Sequence, residues 1–163
     1  MTADKGKIIE HKEKKMNETE GIRQLLRRIL TSQRFAVLCS IDDRQPYSNL
    51  IAFAVSDDLK HLVFVTNRNT RKYRNIIGNK EVSLLVDNRT NQTTDVNTAT
   101  AITILGSAVE MVDKNQRFIS IYQAKHADLN SFVNEPENAL IIVAVSEYIV
   151  ADFNKVKRIV VKS

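Results

Sequence analysis

Hydrophobic residues follow two different periods along the chain. Between residues 18 and 32 they recur every three or four positions, a spacing that predicts an amphipathic helix. From residue 34 onwards the period shortens to two, in short runs rich in β-branched and aromatic residues that are typical of strands. Residues 1–16 follow neither period, and we expect them to form a mobile polar leader.

The strand-like runs are separated by turn clusters and by two further helical stretches. Helices are predicted at residues 70–78 and 113–125, and we expect Thr70 to cap the first and Gly78 to end it in the left-handed conformation. Many strands with short turns, and no repeated strand-helix-strand unit, favour a mainly β, antiparallel barrel with short flanking helices. The predicted strands cover residues 34–41, 47–56, 61–66, 81–87, 98–112, 138–153 and 156–161.

Composition and charge limit the class of protein. The 163 residues are 43% hydrophobic and 26% charged, the balance of one folded domain, which we place at residues 17–163. No run approaches the roughly 20 apolar residues of a membrane helix, and no secretory signal is visible, so we expect a cytoplasmic protein without a membrane partner. The net charge of +5 fits an anionic small ligand, and because acidic residues are interspersed among the basic ones, nucleic acid is the less favoured partner.

Candidate chemistry is concentrated in one stretch, residues 64–72. There a strand that ends in hydroxyl and amide groups leads into a capped helix with a basic first turn. Free N–H groups at a helix start attract anions, and Arg71 and Lys72 add two cations, so the pattern predicts a phosphate site. The alternative is that both cations are solvated surface residues, and the residues alone leave the two interpretations open.

Other chemistry-bearing residues predict no second site. His11, His61 and His126 lack the spacing of metal ligands, so we predict no metal. Cys39 lies in an apolar run and is expected to be a buried hydrophobe. No nucleophile or acid-base pair stands out, and the catalytic residues are unknown at this stage.

The segment from Val65 to Lys72 resembles the strand-to-helix motif of FMN-binding split barrels in the pyridoxamine 5'-phosphate oxidase-like family. The order of the elements between residues 20 and 112 is similar as well. This resemblance implies a Greek-key split β-barrel of about six to seven strands, with the basic pair on the FMN phosphate and the second strand along the flavin ring. The FMN-binding residues that it implies, with three substitutes from the polar loop, are Asn49, Leu50, Ile51, Ala52, Val65, Thr66, Asn67, Thr70, Arg71, Lys72, Asn88, Arg89 and Asn91.

The resemblance further implies a flavin-dependent oxidoreductase that forms a homodimer, with FMN at the subunit interface and a small-molecule electron donor or substrate. Two departures limit what carries over. The chain has no Trp and lacks the Trp and Arg signature at its end, so we do not expect it to oxidise pyridoxamine phosphate. Ala99 and Ala101 replace a Gln that is frequent in the family, and residues 88–91 either substitute for it or form a polar surface loop. The alternatives are a non-catalytic carrier of flavin or haem, and a reductase that uses deazaflavin.

Overall fold

The fold is seen in a computed structural model that describes residues 2–113 and 115–161, with side chains from residue 16 onwards. Its order is a long helix, three strands, a short helix, two strands around a one-turn helix, a helical segment and two final strands. None of the described helices combines the length and apolar character needed to cross a bilayer. The elements are α1 Thr2–Ser32, β1 Phe35–Asp42, β2 Gln45–Val55, β3 His61–Asn67, α2 Arg71–Gly78, β4 Glu81–Asp87, α3 Asp95–Thr98, β5 Ala101–Glu110, α4 Gln116–Lys125, α5 Asn130–Asn134, β6 Asn138–Ala151 and β7 Val156–Val160.

The strands form a barrel that closes on itself. Their order is β3-β2-β1-β4-β5-β6-β7, all neighbouring pairs are antiparallel, and β3 returns to pair with β6. Strands β1 to β6 therefore make a closed ring of six, and β7 is an additional strand outside it. This confirms the predicted antiparallel barrel.

Strand β6 is long because it serves two partners along one edge. Its first half pairs with β3, from Asn138 to Ala144. Its second half pairs with β7, from Glu147 to Ala151. Between them, Ser146 is an extra residue in the ladder with β5, which is the pattern of a β-bulge. The bulge bends β6 at the point where its edge passes from one partner to the other.

Glycine is required opposite this bulge. A Cβ atom added at Gly106 would lie 2.5 Å from the carbonyl oxygen of Ala144 and 2.7 Å from the Cγ1 of Val143. Both distances are well inside van der Waals contact, so β5 and β6 approach this closely only because Gly106 has no side chain.

The barrel interior and two helices form one apolar core. Helix α1 contributes Leu26, Ile29 and Leu30, and helix α4 contributes Phe118 and Tyr122. Burial of these side chains, together with the inward residues of the strands, supplies the main driving force for folding. The amphipathic helix predicted over residues 18–32 is therefore confirmed as a core element.

Three local predictions need correction. The first helix begins at Thr2 rather than residue 18, so residues 2–16, for which the sequence predicted a polar leader, share its helical backbone. Gly78 ends α2, but the capping Asn79 is extended and no described glycine has a positive φ. Strand β5 begins at Ala101 rather than residue 98, because Asp95–Thr98 form a helical turn.

Candidate functional site

The candidate phosphate site is built where β3 leads into α2. Thr70 caps the helix as predicted: its Oγ1 accepts a hydrogen bond from the N–H of Tyr73 at 3.4 Å and donates to the carbonyl oxygen of Asn67 at 2.7 Å. The hydroxyl of buried Thr66 lies 3.1 Å from that of Thr70. Asn67 shapes the turn with its side chain, whose Oδ1 accepts from the N–H of Asn69 at 2.8 Å. The helix start is thus held by hydroxyl and amide groups of the connection itself.

Arg71 is positioned by the hairpin between β1 and β2. Its Nε donates to Asp42 at 3.2 Å, and its guanidinium lies 4.5 Å from the centre of the Tyr47 ring. Both Arg71 and Asp42 are exposed, so the ion pair itself is weak in water. The pair and the aromatic ring hold the guanidinium against the hairpin, where it remains exposed to solvent.

Lys72 is a half-buried cation that has no counter-charge among the described residues. No side chain in the described part of the chain makes an ion pair or hydrogen bond with its ammonium group, and burial lowers the pKa of Lys72 below its usual value. A partly desolvated charge beside a helix N-terminus, whose dipole is also positive, is unfavourable unless an anion binds there. Lys72 is therefore the feature of this site that most directly indicates a ligand.

Asn49 supplies the second unexplained polar group. Both Oδ1 and Nδ2 of its side chain are buried and have no hydrogen-bond partner among the described residues. Asn49 lies opposite Leu38 in the β1–β2 ladder, on the inner face of β2 two residues from Tyr47. An unsatisfied buried amide costs about 1–3 kcal/mol, and such groups are rare in folded proteins unless water or a ligand satisfies them.

A carboxylate network holds the connection in place. Oε1 of Glu110, at the end of β5, accepts from Nε and Nη2 of Arg68 at 3.1 and 2.5 Å, and Oε2 accepts from the Tyr73 hydroxyl at 2.6 Å. Arg68 also donates to the carbonyl oxygen of Pro136 at 2.6 Å. The hydrogen bond to Glu110 raises the pKa of Tyr73. No sequence pattern indicates this network, because Arg68 occupies a variable position of the motif and Glu110 is distant in sequence.

The remaining predicted site residues divide into three groups. Ile51, Val65 and Thr66 are buried in the barrel wall, whereas Leu50 and Ala52 point outwards. The polar loop lies elsewhere: β4 begins just after α2 and ends at this loop, and its 7 residues span about 20 Å. Within one chain the structure therefore does not bring the loop residues together with the basic pair; these residues are Asn88, Arg89 and Asn91.

Local contacts explain how the loop residues are held. The Oδ1 of Asn88 accepts from the N–H of Thr100 at 2.7 Å, and Arg89 forms a 3.2 Å ion pair with Asp87. Asn91 has a positive φ of 61°, a conformation that asparagine tolerates in turns. These contacts are those of a structured turn, and the guanidinium of Arg89 remains largely exposed.

An apolar surface covers one side of the barrel. Cross-strand partners on β1, β2, β4 and β5 share this side, which we call the outer face. Phe35 and Leu50 are 51% and 63% exposed there. Large side chains with this exposure in one contiguous patch indicate a contact surface. The outer face consists of Phe35, Val37, Cys39, Ser48, Leu50, Ala52, Ser83, Leu85, Thr103 and Leu105.

The family model for pyridoxamine 5'-phosphate oxidase matches residues 22–149. The chain belongs to this family. The match runs from the middle of α1 into the second half of β6, and so includes the whole β3–α2 connection. It confirms the resemblance that the motif at residues 65–72 had indicated.

Solved structures share the fold at low sequence identity. A haem-binding protein from Mycobacterium smegmatis superposes with a TM-score of 0.75 at 11% identity, over 85% of this chain and 57% of that protein. General Stress Protein 26 from Bacillus anthracis superposes with a TM-score of 0.63 at 20% identity, over 85% of this chain and 98% of that protein. An FAD-binding protein from Mesorhizobium loti gives 0.60 at 16%, over 76% and 88%. This chain thus spans little more than half of the mycobacterial protein. A search of curated proteins found no significant match.

Proposed function

We propose that this protein binds FMN with its phosphate at the start of α2 and acts as a flavin-dependent oxidoreductase on a small substrate. The observation that carries the proposal is Lys72, a half-buried ammonium without a described counter-charge, next to Arg71 at a capped helix start. A phosphate dianion would neutralise both cations and accept hydrogen bonds from the free N–H groups of the first turn. An uncharged ligand would leave these two cations without a counter-charge.

The rest of a flavin nucleotide fits the neighbouring residues. The outward positions of β2 are Ser48, Leu50 and Ala52, whose side chains leave the strand backbone open to a flat ring. Bound FMN would supply the hydride and electron transfer, while the chain holds the phosphate and shields the ring from water.

A homodimer would complete this site. The apolar outer face fits a second copy of the same chain, since two-fold symmetric pairs bring identical patches together. Such a pairing also accounts for the position of the polar loop, because the loop of one subunit can approach the α2 start of the other although the two are far apart within one chain. Arg89, which is largely exposed, is the loop residue best suited to reach a partner's anion.

The test is FMN retention by the double variant Arg71→Ala with Lys72→Ala. Loss of two charge-assisted contacts should weaken FMN binding about 100-fold or more, measured by quenching of flavin fluorescence on titration. The matched control is Arg28→Ala with Lys80→Ala, which removes one arginine and one lysine that are exposed and lie on other elements. FMN affinity equal to wild type in the first variant, with circular dichroism unchanged in both, would refute the assignment.

Mass spectrometry of the ligand released from purified protein separates FMN from haem and from deazaflavin. Haem iron needs an axial ligand such as histidine. His61 stacks edge-on against Phe118, with ring centres 5.4 Å apart, and buried His126 binds the carbonyl oxygen of Phe53 at 2.9 Å. Neither of these histidines belongs to the outer face, but Cys39 does, and a cysteine thiolate is also a haem ligand, so the mass measurement decides between the two cofactors. Bleaching of the bound flavin by reduced nicotinamide without oxygen would support an oxidoreductase, and its absence a carrier.

A further inference from the structure

A cavity lies between α1 and the barrel. It is beside the turn that precedes β3, whereas the α2 start follows the other end of β3. Its volume is about 790 Å³, which is within the range of small-molecule pockets. It is enclosed by the second half of α1, the turn between β2 and β3, and the strands β6 and β7. The cavity follows from the topology: where the edge of β6 passes from β3 to β7, the two strands do not meet, and α1 covers the gap.

Basic side chains surround this cavity. Arg23 approaches from α1, Lys60 from the turn and Arg158 from β7. In the described part of the chain, the side chains of Arg23 and Lys60 have no acidic partner, and Arg158 has one at 3.8 Å, Glu147. Three cations that converge from three separate elements, with so little internal neutralisation, create a positive field in the cavity.

Among the described lining residues, Asp58 is the one carboxylate, against the three cations. Asp58 accepts hydrogen bonds from the hydroxyl of Ser56 at 2.5 Å and from the N–H of Lys60 at 3.0 Å. These bonds lower the pKa of Asp58 and keep it ionised, and its Oδ2 forms an ion pair at 3.8 Å with Arg117 of α4, which is not among the lining residues. The turn is fixed further by the Tyr148 hydroxyl, which donates to the carbonyl oxygen of Leu59 at 2.8 Å. Lys60 is therefore held at the cavity by a rigid turn.

The remaining lining is apolar. Leu26, Leu59 and Ile159 are nearly fully buried, and Ile22 and Val161 pack beside them. We propose that this cavity binds an amphipathic organic anion, a carboxylate with an apolar tail of the medium-chain fatty acid type. The apolar lining would hold the tail, and the carboxylate would accept hydrogen bonds from Arg23 and Arg158, with Lys60 near by. None of these residues belongs to the proposed flavin site.

Isothermal titration calorimetry of the full chain with octanoate tests the proposal. Octanoate should bind one site per chain, while octanol, which has the same tail without the charge, and inorganic phosphate, which has charge without a tail, should each bind at least about tenfold more weakly. Equal affinity for octanol would show that the cavity binds the apolar tail and does not recognise the carboxylate. Equal affinity for phosphate would make it a site for adventitious ions. Either result overturns the proposal.

Variants locate the binding. Arg23→Ala with Arg158→Ala should weaken octanoate about tenfold or more, whereas Arg28→Ala, exposed on the same helix, should bind within twofold of wild type. Lys60→Ala, at an exposed position where folding is not at risk, should weaken binding severalfold. Ile22→Trp should block the cavity sterically. Retention of FMN by all four variants would show that the effect is separate from the flavin site, and wild-type octanoate affinity in the double variant and in Ile22→Trp would refute the assignment.

Discussion

Replacing Gly106 with alanine should destabilise the barrel through a backbone contact that no side-chain rotation can relieve. The added Cβ would lie 2.5 Å from the carbonyl oxygen of Ala144 and 3.2 Å from its carbonyl carbon. Because one of the clashing partners is main chain, β5 and β6 must separate by several tenths of an ångström at the bulge. That separation would strain the ladder bonds on both sides of Gly106.

The magnitude follows from three contributions. Overpacking of this kind costs about 1–3 kcal/mol, and weakening of one or two ladder hydrogen bonds adds about 1 kcal/mol. Against this, alanine loses less backbone entropy on folding than glycine, which returns roughly 0.5–1 kcal/mol. The free energy of unfolding of Gly106→Ala should therefore fall by about 1–3.5 kcal/mol. For a chain of 163 residues this corresponds to a decrease in Tm of roughly 2–14 °C.

Urea unfolding followed by circular dichroism measures this change, and the chain contains two matched controls. A Cβ added at Gly21 in α1 or at Gly78 in α2 would have no atom within 4 Å. Gly21→Ala and Gly78→Ala should each be neutral or raise stability by up to about 1 kcal/mol. If Gly106→Ala were as stable as these controls, the close approach of β5 and β6 would be wrong.

Two further predictions concern charged groups. Glu110→Ala should lower the free energy of unfolding by about 2 kcal/mol, because Arg68 and Tyr73 lose their shared acceptor. Urea unfolding measures this change, and the exposed control Glu137→Ala should show little change. The amine of Lys125 donates to the carbonyl oxygen of Leu30 at 2.7 Å, and burial lowers the pKa of Lys125 to about 8 from its usual 10.5. Since the unfolded state then holds the proton more tightly, the free energy of unfolding should rise from about pH 8 to about pH 10. Lys125→Met should remove this rise. An equal pH dependence of wild type and variant would contradict the lowered pKa of Lys125.

Local signals in the sequence were sufficient for much of the barrel. The runs beginning at Arg34, Tyr47 and His61 predicted β1, β2 and β3 to within two residues, because each run is rich in β-branched and aromatic residues and is bounded by turn residues. Burial alternates along β1, whereas β3 is buried continuously. Thr70 was predicted as a cap, and it is one, since capping depends on neighbours only three residues away. The same locality explains the error at Gly78: glycine permits the left-handed conformation, but whether a helix uses it depends on where the following strand must begin.

The parts of the site that the sequence did not predict depend on distant residues. The pairing of Arg71 with Asp42 and Tyr47 exists because the β1–β2 hairpin folds back towards α2, and no spacing in the sequence encodes it. The isolation of Lys72 is likewise a property of its surroundings. The cavity beneath α1 combines residues from both ends of the chain, so composition and local period carry no trace of it.

Closure of the ring and protection of its rim are performed by different strands. Residues 138–144 of β6 complete the barrel with β3, whereas residues 147–151 are shielded by β7 alone. Removal of β7 would thus expose a short row of unsatisfied main-chain groups, together with the core side chains that Ile159 covers, and such rows recruit strands from other molecules. Lys157 and Arg158 place positive charge on β7, and this charge opposes edge-to-edge pairing of β7 with a strand of another molecule.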